Sequence, residues 1–191
     1  MRYLLFLLAS IAPAAVYTIH PTDAPQTIYT TIEGALCGDT VNIQPGTYSM
    51  PNGNLARIYI ANKACTSAAP LVIQAADPAN KPLFDYTGFP LDGTATPIPG
   101  STPGTQSDMP RGAWQVHGSS FVTIDGIYVK GASAITQDSV AGIRFIAAKN
   151  FTVRRSILEL NYNGLQGDGV NTVVEANEFI ANGKPGSDQQ H

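Results

Sequence analysis

Short runs in which apolar and polar residues alternate recur through the second half of the chain. Trp114 and Val116 alternate with Gln115 and His117, Ile143 and Phe145 with Arg144, and Leu165 with Gln166 and Asp168. Alternation over so few residues predicts half-buried strands, because successive side chains point to opposite faces. A second set follows the first: Ile124 to Val129 lies over Val153 to Leu158 and over Val174 to Phe179, with an apolar first and sixth position each time. Both sets advance together, by 29 residues and then by 21 or 22. The surplus in the first step falls between Gly131 and Gly142, which predicts a loop inserted into an otherwise regular coil. A coil of about 20 to 30 residues made of short strands predicts a solenoid, since one coil cannot bury its apolar face alone and stacked coils share an interior.

The alternation assigns Trp114, Val116, Ile143, Phe145 and Leu165 to the inside, and Gln115, His117, Arg144, Gln166 and Asp168 to the outside. Asn161 and Asn182 occupy equivalent corners beside glycines, where both residue types tolerate a left-handed backbone and stacked amides can bond one another. Their expected role is structural. Looser strands are predicted earlier, at residues 40–43, 57–61 and 70–73, with a turn at residues 44–48 and a short helix over residues 30–36 that caps the solenoid. Residues 87–112, rich in Gly, Pro, Ser and Thr, predict a long loop and no domain boundary.

Composition agrees with strands and turns. The chain is 43% hydrophobic but only 13% charged, with 18 Gly and 14 Pro that interrupt helices. A net charge of -3 without a Lys/Arg run argues against a nucleic-acid partner or an anionic membrane surface. Arg2, the apolar run at residues 3–11 and Ala12-Pro13-Ala14-Ala15 read as a signal peptide over residues 1–15, so the mature chain is expected to be secreted or periplasmic. That run is shorter than the roughly 20 residues of a membrane span. In an oxidising compartment Cys37 and Cys65 are expected to form a disulfide, the alternative being two buried thiols.

Gly38-Asp39-Thr40-Val41-Asn42-Ile43-Gln44-Pro45-Gly46-Thr47-Tyr48 resembles the opening of many secreted right-handed parallel β-helix proteins, in which such a run follows a short capping helix. Ala69 to Ala75 resembles their second strand. With the coils at residues 114–180, the resemblance to the pectate-lyase-like superfamily covers most of the mature chain and implies an all-β fold, a right-handed parallel β-helix with an N-terminal capping helix. Relatives of this architecture include polysaccharide lyases but also glycosidases, epimerases, tailspikes and adhesins, so the fold by itself assigns no activity.

The lyases imply a uronate polymer as partner, a group that neutralises the uronate carboxylate, and a base that removes the C5 proton; calcium is a candidate cofactor. On that basis Arg144 is the candidate carboxylate partner, its guanidinium fork matching that geometry. His117 and Lys130 are candidate bases, and Gln115, Gln166, Asp168 and His191 candidate substrate contacts. No acidic cluster suggests a ready metal site. Asp125, Arg154 and Glu175 read as cross-strand ion pairs, as do Lys130 and Glu159. The chain reaches residues 183–191 where another coil is expected, which predicts that further coils follow. Two functions remain open: a carbohydrate-active enzyme acting by β-elimination, and a non-catalytic β-helix that binds glycans or serves as an adhesin or structural solenoid. Oligomeric state is not predicted.

Overall fold

The structure, a computed structural model, describes residues 13–50, 57–88, 112–133 and 140–183. The predicted signal segment up to residue 12, nearly all of the predicted long loop and His191 lie outside the described residues. Strand β1 (Val16–Ile19) and helix α1 (Pro25–Gly34) come first, followed by triplets of strands that wind as coils. The first three are β2 (Thr40–Ile43), β3 (Thr47–Ser49) and β4 (Ile58–Ala61); then β5 (Leu71–Ala75), β6 (Leu83–Asp85) and β7 (Gly112–His117). Next are β8 (Val122–Asp125), β9 (Tyr128–Lys130) and β10 (Ala141–Lys149), then β11 (Thr152–Arg154), β12 (Ile157–Glu159) and β13 (Asn163–Val170), and finally β14 (Val173–Glu175) and β15 (Glu178–Ile180).

Each coil lays one strand on each of three parallel sheets. The six-stranded sheet runs β1-β2-β5-β8-β11-β14, the five-stranded sheet β3-β6-β9-β12-β15 and the four-stranded sheet β4-β7-β10-β13. The chain is therefore a right-handed parallel β-helix, and the register expected from the repeat holds. Val153 pairs with Ile124 and Val174, Leu158 with Val129 and Phe179, and Ile143 with Trp114 and Leu165.

The interior is the set of inward columns seen end to end. Ile73, Ile124 and Val153 are fully buried in one, Phe84, Val129 and Leu158 in the next, and Ile58, Trp114 and Ile143 in the third. Aromatic rings tie the columns together: Tyr48 stacks on Phe84 with centroids 4.7 Å apart, and Phe84 meets Trp114 edge to face at 4.9 Å. Such pairs add directional preference to the burial of large apolar area.

Corners are sharp, and many are left-handed without glycine. Arg155, Leu160, Ala176 and Ala181 all have φ near +50°, a region that L residues enter at a cost. Side-chain ladders compensate. Asn161 is fully buried; its Oδ1 accepts from Ala132 N–H at 2.9 Å, and its Nδ2 donates to Val129 O at 3.1 Å. One coil on, Asn182 Oδ1 accepts from Asn161 N–H at 3.0 Å. The structural role expected of these asparagines is the one they have. The ladder also explains Gly142, where a Cβ would lie 2.8 Å from Asn161 Nδ2.

The N-terminal end is closed by α1. Pro25 sits in its first turn, where a missing N–H costs nothing, and Ile28 and Ile32, one turn apart, are buried over the core. The helix therefore starts five residues before the stretch read from sequence and stops at Gly34. The expected turn over residues 44–48 is also shorter, because Thr47 and Tyr48 already belong to β3 and the Tyr48 ring is in the core. Cys37 and Cys65 form the disulfide, with Cα atoms 5.0 Å apart, tying the stretch after α1 to the second coil.

Candidate functional site

The outer face of the four-stranded sheet carries an unbroken column of long polar side chains. Register places Tyr59 beside Gln115, Gln115 beside Arg144 and Arg144 beside Gln166. All four strands put an apolar residue inward on either side of the column except β13, where Gly167 follows Gln166. The groups thus come from four successive coils, at the separation of neighbouring strands. His117 stands two residues further along β7, on the same face, with its ring centroid 6.3 Å from that of Tyr59. Arg144, Gln166, His117 and Tyr59 are half-buried; Gln115 is fully covered, although it points away from the solenoid interior. Outward direction and exposure are separate properties, and only the first was readable from alternation.

The structure therefore brings Gln115, His117, Arg144 and Gln166 together and adds Tyr59. Asp168 is nearby but occupied: β10 and β13 slip register after Phe145, and Asp168 Oδ1 accepts from Ala147 N–H at 2.7 Å across the irregularity. Lys130 lies elsewhere, on β9 of the five-stranded sheet, with Nζ 3.6 Å from Glu159. It does not share a face with Arg144 and His117.

Tyr59 is positioned by the helix that closes the solenoid. Its backbone N–H, on the outer edge of β4, donates to Glu33 Oε1 at 2.6 Å. Lys63 Nζ donates to the carbonyls of Glu33 and Ala35 at 2.6 and 2.8 Å, where the C-terminus of α1 favours a cation. Burial pushes Glu33 up to about 7, against the lowering influence of the Tyr29 hydroxyl, the Tyr59 N–H and Lys63. Burial also lowers Lys63, and raises Tyr59 to about 12 with help from Glu33 and Tyr29, so Tyr59 remains a neutral phenol. The phenolic oxygen of Tyr59 and Oε1 of Gln166 are covered and accept no hydrogen bond among the described residues. Buried polar atoms of this kind are costly unless something else satisfies them.

On the six-stranded sheet the expected ion pairs are present in a tighter form. Asp125 is only 4% exposed; its carboxylate accepts from Arg154 Nε at 2.9 Å and Arg155 Nε at 2.8 Å, and from Arg155 Nη2. Arg154 also lies 3.7 Å from Glu175. The pairing of Arg155, at a left-handed corner, was not foreseen, because alternation says nothing about where a corner residue reaches. These charges staple three coils and face away from the Arg144 column.

Among the described residues no three His, Cys, Asp or Glu side chains converge as a metal site would require. A calcium ion takes six to eight oxygen ligands, and the Arg144 column offers amides and a guanidinium instead. Those residues do not fit calcium. Among the described residues no helix is long and apolar enough to cross a membrane.

No protein-family model and no curated protein matches the chain. Solved structures do. A pectate lyase, Pel9A, superposes with a TM-score of 0.59 at 19% identity, over 86% of this chain and 39% of that one. An alginate lyase from Paenibacillus sp. str. FPU-7 superposes with a TM-score of 0.50 at 13% identity, over 86% of this chain and 58% of that one. The chain thus spans well under two thirds of either neighbour's length. At such identities the likeness is one of fold alone, the parallel β-helix.

Proposed function

We propose that this protein is a secreted, carbohydrate-active β-helix protein whose Arg144 face binds an acidic, uronate-containing polysaccharide and cleaves it by β-elimination. The observation that carries the reading is the column itself: one guanidinium flanked by two glutamine amides, with a tyrosine and a histidine on the same face. Arg144 pairs with the uronate carboxylate and so stabilises the charge that develops when C5 loses its proton. His117 takes that proton; the electron pair left behind forms the C4–C5 double bond, and the glycosidic oxygen on C4 departs and acquires a proton. An imidazole suits the step, since its ordinary pKa of about 6.5 lies near neutrality. Gln115 and Gln166 orient sugar hydroxyls, and Tyr59 offers a ring to the apolar face of a sugar. The disulfide supports an oxidising, extracytoplasmic location.

The test is to incubate the protein with polygalacturonate and with alginate and to follow the ultraviolet absorbance of the new unsaturated end. Arg144→Ala is expected to lower kcat/KM on the order of 100-fold or more, with the fold unchanged by circular dichroism. Full activity in the folded variant would refute the assignment. A second reading is favoured by Asp168 and Lys130, both engaged in bonds within the coils: the face binds glycans without cleaving them. In that case polymer binding persists and no unsaturated product forms.

A further inference from the structure

The outer face of the five-stranded sheet differs from the other two in what it turns toward solvent. On the six-stranded sheet the outward columns are Thr40, Val72, Thr123, Thr152 and, alongside, Asn42, Gln74, Asp125, Arg154. On the five-stranded sheet one outward line is the charged set Asp85, Lys130 and Glu159, the last two 3.6 Å apart, but the other is Leu83, Tyr128 and Ile157, and all three of these are half-buried rather than covered. They floor an open groove of about 610 Å³, within the size range of ligand sites. Thr47 continues that line beside Leu83, and Pro45, Gly46 and residues 79–81 complete the lining.

The segments around the floor are set in place. Gly46 packs against Pro21, where a Cβ would lie 2.7 Å from the proline ring, and its carbonyl accepts from Leu83 N–H at 2.9 Å. Asp77 accepts from Ala79 N–H at 2.9 Å and Asn80 Nδ2 at 2.8 Å, and Lys81 Nζ donates to Pro78 O at 3.3 Å. Among the described residues Lys81 is the sole charged one in the lining.

We propose that this groove is a second, non-catalytic glycan site that takes an acidic oligosaccharide. The C–H face of a sugar ring lies on Tyr128 between Leu83 and Ile157, as apolar ring faces lie on aromatic side chains. The sugar carboxylate pairs with Lys81, and hydroxyls meet Thr47 and the amide oxygen of Asn80. Charge complementarity selects the occupant, because a neutral glycan or an apolar partner leaves Lys81 without a counter-charge in the groove. A peptide strand is disfavoured because Leu83, Tyr128 and Ile157 present the face of paired strands, whereas strand addition uses an edge. The choice of an acidic sugar rests on the proposed function, but the site lies on a different sheet from Arg144. It would hold the polymer while the Arg144 face works on another stretch of it.

The test is a calorimetric titration of the whole protein with oligogalacturonate, oligomannuronate and a neutral oligosaccharide of equal length. It is run on the parent chain and on Tyr128→Ala, Lys81→Gln and Arg144→Ala, with cleavage of short oligosaccharides measured in parallel. The expected result is two acidic-sugar sites in the parent. Tyr128→Ala and Lys81→Gln each weaken one of them at least tenfold and leave short-substrate cleavage unchanged. Arg144→Ala weakens the other. Unchanged two-site binding in folded Tyr128→Ala and Lys81→Gln overturns the groove assignment, as does equal affinity for the neutral sugar. A self-association that Tyr128→Ala abolishes makes a second copy the occupant and overturns it too. Absence of cleavage with binding still sensitive to Lys81→Gln keeps this site and removes the catalytic reading alone.

Discussion

The middle and the last described coil use equivalent residues at equivalent positions and fare differently. Leu158 is fully buried while Phe179, next to it in the same column, is 49% exposed. Val153 and Val174 differ in the same way. Nothing in either pair of residues sets the outcome: what differs is whether a coil lies on both sides. In a solenoid, burial belongs to the contact between neighbours, so stability is a sum of nearest-neighbour interfaces rather than of residues. The N-terminal end has its neighbour in α1 and is stapled by Cys37–Cys65, whereas among the described residues no strand lies beyond β13, β14 and β15.

Paired substitutions test this contrast most strongly. Leu158→Ala is expected to destabilise the fold by about 2–5 kcal/mol, and Phe179→Ala by under about 1 kcal/mol, in chemical denaturation. Equal losses would mean that the last described coil is covered in solution. Replacing both cysteines with serine should cost about 2–4 kcal/mol and loosen the capped end first, seen as faster amide exchange in α1 and β2. Asn161→Ala leaves the Ala132 N–H and Val129 carbonyl without their partner and should cost about 2–3 kcal/mol. Asn182→Ala, one coil further out, should cost visibly less.

Smaller effects probe the capped end and the corners. Glu33 titrates near 7 in the fold against an ordinary value of 4.5, so the folded state holds its proton more tightly than the unfolded chain does. The contribution of Glu33 to stability is then greatest below about 4.5 and declines as pH rises toward 7. Glu33 is partly open to solvent, which holds the decline to about 1–2 kcal/mol; Glu33→Gln should flatten it in pH-dependent melting curves. Ala176→Gly relieves a left-handed corner with φ of +52° and should add about 0.5–1 kcal/mol, while Gly126→Ala at the equivalent corner should subtract a similar amount.

Where the coils are evenly spaced, the fold was legible in the residues themselves. The registers of Trp114, Ile143 and Leu165, the asparagine ladder and the inward columns all followed from alternation, because a strand's period of two leaves no other way to bury them. Tyr59 was missed as part of the site because β4 and β7 are separated by a long intervening stretch that breaks the repeat. The start of α1 was misplaced because its only apolar contacts are Ile28 and Ile32, too few for a periodic signal. Burial of Gln115 and Asp125 escaped notice for a common reason: what covers an outward side chain comes from other coils, and sequence spacing within one strand carries no trace of it.

One corner of the coil has absorbed most of the variation in length. The five-stranded sheet passes to the four-stranded sheet in three residues between Glu159 and Asn163, yet spans far more between Asp85 and Gly112 and between Lys130 and Ala141. Parallel pairing across β4, β7, β10 and β13 survives each of these changes. The connection at this corner can therefore change in length without changing which strands pair. Length is thus free to vary where the chain leaves the ladder and fixed where it joins it, so the scaffold separates what can change from what must repeat.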